Sequence, residues 1–254
     1  MIPDGARTME AMTLVLVRVS GLMVFAPVFS SPAIPMRVKA AFALAVSFLV
    51  GPVVASFPQA RAELGVLPVL GELSVGLVFG LALSLLFEAL EMAGQVMGFQ
   101  FSFSLVNALD PSAPEQTSLM GQMFGLLGTL TVIAAGLDRT MLAALLRTFV
   151  AAPVGTVALR ATTGLALVPM GAGIFAAALQ LAAPVLAATL VAELAVALAG
   201  KLAPALPVMA IDIPAKTLLG YTVLMGSLAL WPHWIEARFA LLLDQAGRLL
   251  AGVG

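Results

Sequence analysis

The chain has no cysteine and a single histidine among its 254 residues. The first absence excludes disulfides, thiol chemistry and Cys-ligated metals, and fits either side of a bacterial membrane. The second leaves no His/carboxylate cluster at metal-ligand spacing. Charge is also scarce: charged residues are 10% of the chain and the net charge is −1, where soluble domains carry about 25% charged residues. No basic stripe is present to track a phosphate backbone, which argues against a nucleic-acid partner. There is no acidic tail, no phosphate-binding glycine loop and no serine in a nucleophile-elbow pattern. No catalytic, cofactor-binding or metal site is expected, and the chain does not read as an enzyme.

Apolar residues are what the sequence has in excess. They make up 61% of the chain, with a mean hydropathy of +1.11, against about 45–50% in soluble domains. A core of this length cannot hide so much apolar surface from water. Lipid or apolar partner subunits must cover the remainder, so the fold class is an all-α integral membrane protein. Met1 to Glu10 is mixed in charge, and no small-x-small pattern follows, so the first apolar run reads as a retained helix rather than a cleaved signal.

Charges and prolines punctuate the apolar runs. Thr8 to Phe29 is the first, and Ser30 to Lys39 a connector holding Pro32, Pro35, Arg37 and Lys39. Ala40 to Phe57 is the second run. Leu64 to about Phe103 is long and helical, with Glu72, Glu88 and Glu91 inside it. Thr117 to Leu137 has about the length that spans a bilayer. Leu159 to Ala199 follows, interrupted by Pro169 and Pro184, and Thr217 to Ile235 is the last. In the C-terminal third one helix is expected from about Gly173 to Leu202, stopped by Pro204 and Pro207. A second is expected from about Pro214 to Leu250, started by Asp212 and Pro214. Uneven, proline-broken segments survive in a membrane only where protein or a water-filled cavity satisfies the freed backbone. The pattern therefore predicts helical hairpins with kinked, partly non-spanning helices. Two arrangements fit it: a subunit packed into an assembly, or a polytopic secondary transporter. The second needs internal repeats around a midplane site, and no repeat relates the two halves.

Several positions stand out on physical grounds. A lone charge near the bilayer centre costs about 2.5–3.5 kcal/mol on insertion scales, which singles out Arg18, Glu72, Glu88, Glu91 and Glu193. Glu88 and Glu91 share one helix face; that face lies in water, meets a partner subunit or relays ions. Gly76/Gly80, Gly94/Gly98 and Gly121/Gly125 repeat at four, a spacing that lets helices approach closely. His233, between Trp231 and Trp234, reads as part of an interfacial belt. From Gln100 to Ser118, alternation over Phe101 to Leu105 gives way to Asn107, Asp110, Pro111 and Pro114. Ser112 and Glu115 match a capping box. This segment is an ordinary external loop, or a re-entrant, pore-lining one. Thirteen Met serve as core filler or as a compliant seal.

The order of these landmarks resembles the FliR family and its injectisome equivalent, SctT. Arg18, Pro27 and Pro35-x-Arg37 are similar to its N-terminal signature. Glu72, Gly76 and Gly80, then Gly94-x3-Gly98-Phe99-Gln100 and Asp110-Pro111, resemble its central ones. Thr148-Phe149 and Pro153-x-Gly155 follow, then Pro184-Val185, Pro204-x-Leu206-x-Val208, Ile213-Pro214-x-Lys216 and Gly220. The resemblance covers essentially the whole chain. Asp138 stands where the family has His, Ser102 where it has Gly, and Ala205 and Pro207 where it has Gln and Asn.

The resemblance implies a structural, pore-forming subunit of the type III (flagellar) protein-export gate in the bacterial inner membrane. It implies FliP-like and FliQ-like partner subunits, with FlhB- and FlhA-like proteins close by, and unfolded export substrates. It implies one membrane domain over 1–254, with a FliP-like part to about 160 and a FliQ-like helical hairpin over about 170–250, packed in a hetero-oligomeric pore complex. The plug would be the central loop, with Phe101, Phe103, Leu105, Ala108, Asp110 and Pro111. Arg18, Pro35, Arg37, Glu72, Gly76, Gly80, Glu88, Glu91, Gly94, Gly98 and Gln100 would serve helix packing and assembly.

Overall fold

The computed structural model describes residues 5–26, 29–31, 34–101, 119–157, 161–203 and 207–251. These form α-helices and connections, with no strand among the described residues. The helices are α1 (Gly5–Phe25), α2 (Met36–Ala55), α3 (Val66–Gln100), α4 (Leu119–Ala134), α5 (Leu137–Ala151), α6 (Ala161–Leu202), α7 (Val208–Leu228) and α8 (Trp231–Ala251). The fold is thus the all-α membrane class that composition predicts. Four stretches are long and apolar enough to cross a membrane: α1, α2, α3 and Val168–Leu202. The count rises to as many as six if the bent pairs α4–α5 and α7–α8 each make one span.

Length separates the helices. The 21 residues of α1 and 20 of α2 reach about 30 Å at 1.5 Å per residue, matching a bilayer core of about 30 Å. The 16 residues of α4 reach only about 24 Å, so the run expected to span alone is too short to do so. The 35 residues of α3 and 42 of α6 exceed the core thickness.

Local sequence sets the breaks. Gly136 adopts φ +66°, a left-handed conformation that glycine takes without a Cβ penalty, and it separates α4 from α5. The single helix expected from Pro214 to Leu250 is instead two, α7 and α8, parted at Ala229 and Leu230. Pro232 explains this: it has no N–H to continue the ladder and is suited to a first turn, so it opens α8. Pro214 does not start a helix but lies inside α7. Likewise α6 begins at Ala161, not Gly173, and continues through Pro169 and Pro184.

The chain divides into two compact units. The first comprises residues 1–86, 132–171 and 237–254; the second, 87–131 and 172–236. In the first, α1 and α3 approach at backbone distance. A Cβ on Gly21 would stand 2.7 Å from the Leu73 carbonyl oxygen, and one on Gly76 would run into the Arg18 carbonyl. Gly80 faces the Leu22 carbonyl in the same way. Between α1 and α2, Gly51 abuts Met12, and the Ser47 hydroxyl donates to the Met12 carbonyl. In the second unit, a Cβ on Gly94 of α3 would lie 2.6 Å from the Gly121 Cα of α4.

Candidate functional site

In the first unit a guanidinium is fully buried. Arg18, at 0% exposure, points from α1 toward α3 and the end of α5. Its Nε donates to Glu72 Oε2 at 2.6 Å, Nη1 to Thr148 Oγ1 at 3.1 Å and Nη2 to the Ala152 carbonyl at 2.9 Å. The ring of Phe149 lies under it, 4.2 Å from Cζ to the centroid. Glu72 is equally buried, and its Oε1 accepts the Gly155 N–H at 2.9 Å. The Thr148 hydroxyl in turn donates to the Leu145 carbonyl at 2.6 Å.

The charge thus stays compensated without water. The rigid fork of the guanidinium addresses three directions at once, which a lysine cannot do. Gly155 completes the arrangement. Its φ is +75°, and a Cβ there would strike the Arg61 carbonyl, so only glycine can present this N–H to Glu72. The adjoining backbone is held by the Arg61 N–H donating to the Val154 carbonyl at 2.9 Å. One ion pair therefore ties α1, α3, α5 and the loop after α5.

The second unit has a looser ionic group. Lys216 Nζ lies 2.5 Å from Glu193 Oε1 and 2.9 Å from Asp212 Oδ2. The side chains of Lys216, Glu193 and Asp212 are 17%, 42% and 28% exposed. Asp212 thus pairs one helical turn along α7 rather than capping its start. Nearby, Phe101 is buried and stacks on Tyr221, with centroids 4.5 Å apart and rings within 8° of parallel. The ring is seated against Gly220, where a side chain would displace it. Trp231 is also buried, 4.6 Å from Phe124 between ring centroids. It is packed inside the unit.

The other expected positions are dispersed. Pro35 and Arg37, at the start of α2, are exposed. Glu88 is exposed and Glu91 half-buried beside Gly121 and Gly125; neither makes an ion pair among the described residues. Gly98 is buried and Gln100 half-buried at the end of α3. Asp138 lies in the first turn of α5, where a carboxylate is favoured by the helix dipole. Of the proposed plug positions only Phe101 is described; Phe103, Leu105, Ala108, Asp110 and Pro111 lie outside the described residues. No group of three His, Asp or Glu able to hold a metal occurs among the described residues.

Sequence reasoning picked out Arg18 and Glu72 singly and did not pair them. It attached no role to Thr148, Phe149, Ala152 or Gly155 and did not join Lys216 to Glu193. The lone tyrosine beside a glycine, Gly220-Tyr221, was the available signal for the aromatic seat.

Apolar helices of these lengths, bent pairs and an ion pair buried among helices of the first unit define an all-α integral membrane protein. Residues 9–242 match the family model "Bacterial export proteins, family 1", and the chain belongs to that family. It is 30% identical over 221 residues to the flagellar biosynthetic protein FliR of Caulobacter vibrioides, covering 85% of this chain and 87% of the relative. It is 25% identical to FliR of Escherichia coli K12, with 89% and 87% covered. To FliR of Bacillus subtilis it is 24% identical, with 96% of each chain covered. Family and relatives together make the chain a component of the flagellar export apparatus, located in the bacterial inner membrane.

Proposed function

We propose that the chain is a structural, pore-forming subunit of the flagellar protein-export gate and not a catalyst. In this role it passes unfolded export substrates across the membrane beside FliP-like and FliQ-like subunits, with FlhB- and FlhA-like proteins near. The observation that carries the proposal is the apolar surface left uncovered on helices too short, too long or too bent to be ordinary spans. Leu67 on α3, Leu202 on α6 and Met225 on α7 are each more than 70% exposed, while α4 reaches only about 24 Å. Sister subunits are the natural cover for such helices, since broken segments need protein around their freed backbone.

A FliP-like part to about residue 160 and a FliQ-like hairpin over about 170–250 belong to the same proposal. The Glu193–Lys216 pair supports the hairpin, because it ties α6 to α7 at comparable distances from the end of the one and the start of the other. The loop after Phe101 is the plug. An apolar constriction dewets and so blocks ions at rest, and a loop can withdraw without melting the helices. The stack on Tyr221 would hold the root of this loop.

Affinity purification of the tagged chain from native membranes in mild detergent tests the assembly. The proposal predicts one or two small membrane proteins recovered in molar excess over it. Recovery of the chain alone, or as a homo-oligomer, would count for a carrier instead.

A further inference from the structure

We propose that the groove between α1 and α2 seats an apolar helix of a sister subunit, and that one aspartate or glutamate on that helix pairs with Lys39. This rests on the export-gate reading, in which neighbouring subunits cover the chain's apolar helices. The groove holds a cavity of about 270 Å³, wholly within the first unit. Met23 and Val24 of α1 line one wall, and Met36, Lys39, Ala40 and Ala43 of α2 the other. Buried Met23 and Ala43 make its floor, and exposed Val24 and Met36 its rims. The small side chain of Ala40 leaves it open along α2.

Shape and charge identify the occupant. Met36, Ala40, Leu44 and Phe48 follow one another at intervals of four, so they form a single row along α2. Met36, Leu44 and Phe48 are each more than half exposed, and Ala40 is exposed as well. The row runs for about 18 Å at 1.5 Å per residue, and a ridge of this spacing packs into the matching groove of another helix. Lys39 is half-buried beside this row. Its Nζ donates to the Ser31 carbonyl at 3.0 Å, which leaves further ammonium protons to donate. Lys39 is in no ion pair among the described residues, and from Ala11 to Ala62 the sequence holds no aspartate or glutamate. An apolar helix laid over the row strips water from the ammonium, at a cost that a carboxylate on the same helix offsets. A helix without an acid there would leave the charge bare, so Lys39 also selects which helix fits.

Photo-crosslinking of the full-length chain in native membranes tests this, with a benzophenone amino acid in place of Met36. The expected adduct is a peptide from an apolar helix of a membrane protein that co-purifies with the chain, with an aspartate or glutamate among its apolar residues. Lys39→Glu should lower recovery of that protein by a factor on the order of ten or more, while Lys39→Arg keeps it. Lysine in place of the partner's acid should restore recovery with Lys39→Glu. Thermal midpoints equal to that of wild type show that the Lys39 variants are folded. An adduct with lipid, with a second copy of this chain or with a helix lacking an acid would overturn the proposal. Recovery that Lys39→Glu leaves unchanged, or that the partner's lysine fails to restore, would overturn it too. Each of these results leaves the export-gate reading in place so long as other membrane subunits co-purify; a chain that purifies alone would overturn both.

Discussion

The two units hold their charges in opposite ways. In the first, Arg18 and Glu72 are both at 0% exposure, and their further partners, Thr148, Ala152 and Gly155, come from one distant stretch of chain at the end of α5. In the second, Lys216 sits between two carboxylates that keep 42% and 28% of their surface. A buried ion pair stabilises little against an apolar replacement of the same shape, but removing one partner leaves a bare charge that costs about 3–5 kcal/mol. A part-exposed pair is worth about 0–1 kcal/mol. The first cluster is therefore a point of registry, fixing how α1, α3 and α5 meet, whereas the second is a tie between α6 and α7 that can be lost.

Mutation can break this contrast in graded steps. Arg18→Leu is expected to cost about 3–5 kcal/mol, a large share of the 5–15 kcal/mol typical of a whole domain. It should appear as a collapse in the yield of detergent-stable protein. Arg18→Leu combined with Glu72→Leu should recover much of that yield, and Arg18→Lys should not, because an ammonium cannot address Glu72, Thr148 and Ala152 together. If Arg18→Lys matched wild type, the registry role would be refuted.

Gly76→Ala comes next. It drives a methyl into the Arg18 backbone and should lower stability by about 1–3 kcal/mol through overpacking. Gly226→Ala is its control: nothing lies within 4 Å, so it should be neutral or stabilising by about 0.5–1 kcal/mol. Thermal unfolding of the two variants in one detergent separates them. Lys216→Gln has the smallest effect, less than about 1 kcal/mol; a loss as large as that of Arg18→Leu would erase the distinction between the units.

Much of the fold was legible because apolar run length reports membrane helices directly. The long α3 was visible between Leu64 and Phe103, and Arg18 and Glu72 drew notice as charges stranded in apolar sequence. Their pairing was not legible, since 54 positions separate them and helical periodicity says nothing about which helix lies opposite. The same holds for Gly155, whose motif could be quoted but whose N–H has meaning only beside a carboxylate 83 positions away. The break before Trp231 was missed for a local reason. The belt reading of Trp231, His233 and Trp234 takes no account of Pro232 between them, whose missing N–H is what parts α7 from α8. Residues 102–118 remain an expectation from sequence and resemblance.

Ion leakage through the assembled gate tests the central claim most directly. Cells carrying a chain with Leu105 to Asp110 deleted would be compared with wild type for resting permeability to ions and small molecules, with assembly verified by co-purification. A pore subunit bearing the plug predicts a marked leak from the deleted form and a tight membrane from wild type. A deleted form that assembles and stays as tight as wild type would contradict it.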